Sequence, residues 1–142
     1  MKDLFNNCTP KPVFAPAATP LADNTAQVGS IIDRLGYESL TYVIITGTLA
    51  DAGATFTVLL QESDVSDMTG AVAVADADLL GTEALASFTQ ASDGICLKLG
   101  YIGHMRYTRL TITPSGNTGN APLAAIAILG HPHDAPTANP PA

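Results

Sequence analysis

The sequence predicts an all-β protein: an antiparallel β-sandwich, jelly-roll-like, with extended proline-rich N- and C-terminal arms. Three observations lead there. Roughly seven or eight short runs are apolar or alternating, rich in β-branched residues and separated by turn residues, with no convincing helical period. Hydrophobic residues make up 46% of the 142, enough for one core, and with no tryptophan that core rests on Val, Ile, Leu and Ala. Prolines gather at the two ends, where they prevent helix and interrupt central strands. The chain therefore divides into an arm over 1–28, one sandwich domain over 29–130 and a tail over 131–142. No internal repeat of solenoid or propeller period is present.

In the arm, Pro10, Pro12, Pro16 and Pro20 recur. Phe5 and Phe14 stand among them as apolar residues available to dock on another subunit. Ser30–Arg34 reads as a short strand and Gly36 as a turn. Glu38–Leu49 is rich in β-branched and aromatic residues and reads as a long strand. Asp51–Gly53 reverses it and Ala54–Glu62 returns, so the pair is expected as a hairpin with Phe56, Val58 and Leu60 on one face. Ala71–Ala86 is expected as short strands split by Gly81, since the Val72/Val74 alternation and flanking turn residues outweigh the helix preference of alanine.

The best-defined stretch is Ile95–Gly130. Met105–Thr113 alternates, which places Thr108, Leu110 and Ile112 on the core face and Arg109 outside. Leu110→Asp is accordingly expected to unfold the domain. Pro114 lacks an N–H and is expected to end the ladder. Ser115–Asn120 reads as a loop of residues that tolerate positive φ. Leu123–Gly130 is apolar on both faces and is expected to be covered on both, paired with the preceding strand. His104, in YIGHMRY, is read as sitting in a hairpin turn.

Thirteen acids against six bases give a net charge of −7. That repels polyanions, so neither nucleic acid nor an anionic membrane is an expected partner. No apolar run approaches the roughly 20 residues of a membrane span, and the N-terminus lacks a charged-then-apolar signal segment. Cys8 and Cys96 have no CxxC spacing and read as two unrelated thiols of a cytosolic chain. His131 and His133 lack a rigid third ligand, and the acids Asp64, Asp67, Asp76, Asp78 and Glu83 lack the D-x-D-x-D-G order of a calcium loop. No metal, no cofactor and no catalytic residue is therefore expected, and the chain is not read as an enzyme. Lys98, Arg106 and Arg109 are half of the basic residues and fall on strands adjacent in sequence. They are the candidate cationic patch for an acidic partner surface.

The segments GYESLTYVIITGTLADAGATFTVLLQESD, LLGTE and LGYIGHMRYTRLTITPSGNTGNAPLAAIAILGHP resemble a family of small proteins encoded among the head genes of tailed bacteriophages. RYTRLTITPSGNTGNAPLAA is the most specific part. The resemblance implies a virion structural protein, made in the host bacterial cytoplasm, that decorates the outer capsid surface. Its implied partners are the major capsid protein and neighbouring copies of itself, as a dimer or trimer. Phe5, Phe14, Lys98, Arg106 and Arg109 are the candidate partner-binding residues. Deleting Met1–Pro20 is expected to weaken attachment and leave the fold intact. A tail or head–tail connector component with the same fold is the first alternative. The second is a carbohydrate-binding sandwich, for which Tyr37, Tyr101 and Tyr107 are the available stacking residues.

Overall fold

A computed structural model describes residues 2–17 and 20–141. Met1, Ala18 and Thr19 of the expected arm and Ala142 of the expected tail lie outside the described residues. The strands are β1 (Cys8–Phe14), β2 (Gln27–Val28), β3 (Ile32–Asp33), β4 (Tyr37–Thr46), β5 (Thr55–Ser63), β6 (Val72–Ala73), β7 (Leu79–Leu80), β8 (Phe88–Thr89), β9 (Cys96–Tyr101), β10 (Tyr107–Ser115) and β11 (Leu123–Pro132). One turn of helix, α1 (Glu83–Ala86), precedes β8. Two antiparallel sheets result. The first has the order β1-β11-β4-β9-β7; the second runs β2-β10-β5-β6, with β3 also on β10 and β8 also on β5.

The sheets face each other through the alternate residues that the sequence marks as apolar. Leu40, Tyr42 and Ile44 of β4 and Ala125, Ala127 and Leu129 of β11 meet Phe56, Val58 and Leu60 of β5 and Leu110 and Ile112 of β10. Phe56 stacks on Phe88 at 4.8 Å between centroids. Alanine at 125 and 127 keeps the facing side chains close, as alternation of large and small residues does in a filled core.

Neither expected hairpin forms. β4 lies in the first sheet and β5 in the second; β10 lies in the second and β11 in the first. The segment over 47–54 is an arch across the end of the sandwich, with Gly47 N–H on the Pro122 carbonyl and Ala50 N–H on the Asn120 carbonyl. Leu49 is buried beneath it. An arch of this length lets the apolar faces of β4 and β5 meet across the core, where they bury more than they would side by side. His104 sits in a similar crossover between β9 and β10, so the hairpin turn expected there is also corrected.

The arm boundary moves as well. The prolines of β1 do not exclude it from a sheet, because β1 is an edge strand with β11 as its single neighbour. Pro10 and Pro12 are two residues apart and exposed, so their missing donors fall on the free side while Thr9 and Val13 turn inward and are buried. The sandwich thus begins at Cys8, well before residue 29. Its last strand runs to Pro132, and Thr137 donates back to the carbonyls of Asn6 and Cys8. The tail therefore lies against the N-terminal segment. Pro114 likewise stays inside β10, opposite Phe56. By that point β2, which pairs Thr111 and Ile112, has ended, so the missing N–H interrupts no ladder.

Between β8 and β6, the edge of β5 is closed by side chains. Ser87 Oγ accepts from Val58 N–H at 2.9 Å and Glu83 Oε1 from Leu60 N–H at 2.6 Å. Thr82 caps α1 by accepting from Leu85 N–H, which fixes where Glu83 points. Glu83→Ala leaves the Leu60 donor without its charged acceptor. It is expected to lower stability by about 1.5–3 kcal/mol, read as a drop in the denaturant midpoint. An unchanged midpoint would mean that water replaces the carboxylate.

Candidate interaction surface

The two outer faces of the sandwich differ in chemistry. On the second sheet the outward positions of β5 and β10 are Thr55, Thr57, Leu59 and Gln61 beside Tyr107, Arg109, Thr111 and Thr113, with exposed Val28 of β2 next to Thr111, a mixed surface in which threonines predominate. On the first sheet, β11 turns Ala124, Ile126 and Ile128 outward, and their neighbours on β4 are Ile45, Val43 and Thr41. Pro12 and Pro10 of β1 extend the rows of Ile126 and Ile128 on one side. On the other side Leu80 lies over Gly100, where an added Cβ would sit 2.9 Å from Leu80 Cβ. The outward strip of β11 was expected to be covered. It is partly buried, and Ile45 beside it is 42% exposed.

Among the described outward positions of these strands the one Lys or Arg is Lys98, in register with Val43, while Glu38, His131 and His133 line the hollow beside Thr41 and Ile128. Lys98 is exposed and has no hydrogen-bond or ion-pair partner among the described residues. No Asp or Glu occupies the outward positions of β1, β11, β4 or β9. Hollows flank the face at both ends. One is lined by Phe14, Pro16, Ile45 and Ala124, the other by Leu4, Cys8, Thr41 and Ile128.

The expected cationic patch does not assemble. Lys98 and Arg109 sit on strands adjacent in sequence but in different sheets, so they project from opposite faces of the sandwich. Arg106 is engaged by Asp33, with Nε on Oδ1 at 2.8 Å and a second nitrogen on Oδ2 at 2.7 Å, and it lies over the Tyr107 ring. Arg109 donates to Gln61 Oε1 at 3.1 Å. Phe5 is 67% exposed in the short 3-10 turn Phe5–Asn7, whereas Phe14 is half-buried against the core. Of the five candidates, Lys98, Phe5 and Phe14 lie on or beside the first sheet, and the two arginines belong to the second.

A buried polar cluster fills one end of the core. The Tyr101 hydroxyl donates a short hydrogen bond to Glu62 Oε2 and accepts from Met105 N–H at 3.0 Å. The Arg34 guanidinium lies 4.6 Å from the Tyr101 ring centroid and donates to the Gly103 and Met105 carbonyls. Tyr42 and Thr108 join hydroxyls across the two sheets at 2.7 Å. Tyr101 is therefore removed as a stacking surface for a sugar. Tyr37 is half-buried with its hydroxyl on Thr9, and Tyr107 is covered by Arg106. The signal for the cluster was present in the alternation, since continuing the Phe56, Val58, Leu60 face by one step gives Glu62.

These placements set the pH response. The Arg106 hydrogen bonds hold the Asp33 carboxyl below its ordinary range, and the Thr118 hydroxyl does the same for Asp51. Burial raises Tyr42, and burial followed by the Glu62 hydrogen bond raises Tyr101. A lowered carboxylate contributes stability above its unfolded value and loses it as pH falls through the folded one. A raised tyrosine keeps its proton in the folded state, so stability declines once the unfolded chain ionises. The melting temperature is expected to be level between about pH 5 and 9, falling below about 4 and above about 10. A melting temperature that rises on acidification below about pH 4 would contradict this.

Ser115–Asn120 is tied down at several points. Asn117 is buried, its backbone N–H donating to Asn24 Oδ1 and its side-chain amide to the Asp23 carbonyl, and Thr118 donates twice to Asp51. Of its glycines and asparagines, only Gly116 has positive φ; Gly119 is instead demanded by the approach of Ala50 and Asp51. His131 bonds Ser39 and His133 lies 3.7 Å from Glu38. Cys8 and Cys96 are free thiols, and among the described residues no three His, Cys, Asp or Glu side chains converge on a metal position. No protein-family model and no curated protein matches the chain.

Proposed function

We propose that this chain is a structural protein of a tailed-phage particle, decorating the outer capsid surface and stabilising it by bridging major capsid protein subunits. The observation that carries this is the contrast between the outer faces: an apolar, nearly uncharged sheet face on a chain of net charge −7. An apolar patch of a few hundred Å² is often an interaction site. We read the strand order as that of a jelly roll, with β1-β11-β4-β9 against β2/β3-β10-β5-β6/β8, an architecture shared by capsid and lectin domains. That analogy supports the reading at the level of fold. A position outside the shell suits the charge, since packed DNA would repel it.

Bridging would then work by repetition. Each copy needs only a modest contact, because many copies act on one lattice. Contacts between neighbouring copies, in dimers or trimers, belong to the same proposal. The test is the number of copies of this chain per purified particle, relative to the major capsid protein. A ratio approaching one is expected; a handful of copies would move the protein to the tail or connector, and absence from particles would remove the reading.

A further inference from the structure

We infer that the outer face of the first sheet is the surface that seats on the capsid, and that its partner is an apolar protein patch carrying a carboxylate opposite Lys98. This rests on the capsid reading above and specifies which side of the molecule does the work. Three features lead to it.

The first is composition. Ile126, Ile128, Val43 and Ile45 form adjoining rows over β11 and β4, extended by Pro12 and Pro10. The opposite face of the molecule intersperses Val28, Leu59 and Tyr107 among four threonines, Gln61 and Arg109, so its apolar side chains form no continuous rows.

The second is charge. Lys98 is unpaired and the outward positions around it supply no carboxylate. Packing this face on its own copy would enclose two ammonium groups with no counter-ion between them, which the loss of hydration opposes. A partner with an acidic group within an apolar patch satisfies both the isoleucines and the lysine. Self-pairing is thereby disfavoured along the Lys98 row, the exposed Glu38 carboxylate lying at the hollow beside Thr41 and Ile128.

The third is size and edge chemistry. Four strands about 4.8 Å apart and about seven residues long give a face of roughly 450 Å². That is about half of the roughly 800 Å² per partner of a standard stable interface. Such a face suits a contact repeated over a lattice better than a free dimer in dilute solution. Sideways strand addition at β1 is blocked by Pro10 and Pro12, so contact at that end of the sheet is made by the face.

The experiment uses the full chain titrated onto shells of the major capsid protein prepared without it. Ile126→Lys places a charge in the apolar rows, and Lys98→Glu inverts the single charge. Thr57→Lys alters the outer face of the second sheet. The first two are expected to weaken shell binding about tenfold or more with unchanged melting, and the third to stay within about twofold. Where Ile126→Lys does not fold, Ile45→Lys carries the test at a position already 42% exposed. Shell binding unaffected by the lysine substitutions, or lost through Thr57→Lys, would overturn the choice of face. Binding retained or strengthened by Lys98→Glu would overturn the acidic partner. A wild-type dimer that Ile126→Lys dissolves, measured by sedimentation without shells, would make the face a contact between copies and overturn the proposal. Wild-type chain that fails to bind shells removes the capsid reading and this inference together; wild-type binding with an indifferent Ile126→Lys removes the inference alone.

Discussion

Leu110→Asp is expected to leave no cooperative melting transition at neutral pH. Leu110 is wholly buried at the centre of β10, opposite Leu60 of β5, with the first sheet closing over it. A carboxylate there has no donor to receive and no cation in reach of the apolar layer. Its removal from water costs several kcal/mol, on top of about 2–5 kcal/mol for the lost aliphatic packing. The sum is comparable with the roughly 5–15 kcal/mol by which a domain of this size is stable. The adjacent Thr111→Asp is the control, because residue 111 faces outward between Val28 and Leu59. It should cost no more than about 1 kcal/mol of strand preference. Circular dichroism melts of the two variants read the difference. A normal melt for Leu110→Asp would reverse the two faces of β10.

That face was legible because a strand puts alternate residues on alternate sides whatever it pairs with. The same rule separated the two faces of β5 and of β11, without saying which face of β11 turns inward. It says nothing about partners, and there the reading failed. β4 with β5, and β10 with β11, were expected side by side because they are consecutive and joined by turn residues. In the structure each of these connections crosses the sandwich. Gly47, Leu49 and Ala50 are held by loops from elsewhere in the chain, and no local pattern announces an anchor that distant. The same blindness scattered the expected cationic patch, since strands next to each other in sequence lie in different sheets.

Proline misled for a related reason. It excludes a residue from the interior of a sheet, but an edge strand has one side that needs no donors. A spacing of two between Pro10 and Pro12 puts both gaps on that side. The partly open outer face of β11 was hidden by another ambiguity: an apolar run on both sides reads the same whether the second side meets a sheet of the same chain or another protein. Only Lys98, alone in a row of apolar neighbours, distinguishes the two. It was chosen from the sequence for its charge and gains its meaning from Val43 and Ile126 in the same row.

Removal of Met1–Pro20 is where this revision has its largest consequence. Read as an arm, the segment should be dispensable to the fold; as β1, it should not. Its loss strips Val13 from the core, worth about 1.5–3 kcal/mol by burial alone, and separates Thr9 from the Tyr37 hydroxyl. It also bares the backbone of β11 from Ala125 to Gly130, between outward Ile126 and Ile128 and inward Ala127 and Leu129. An apolar edge without prolines is a template for pairing with other chains. The truncated protein is therefore expected to aggregate or to melt well below the full chain, by light scattering and calorimetry. A shorter deletion of residues 2–7 keeps β1 whole. It removes exposed Leu4 and Phe5 and the Thr137 contact to Asn6, while the Thr137 bond to the Cys8 carbonyl can persist. That variant should melt within about 1 kcal/mol of the parent, as surface changes do, and it is the one that can test whether Phe5 contributes to attachment. Equal solubility and melting for the longer deletion would place β1 outside the folded unit. The apolar face of the first sheet would then be one strand narrower, with its edge at β11.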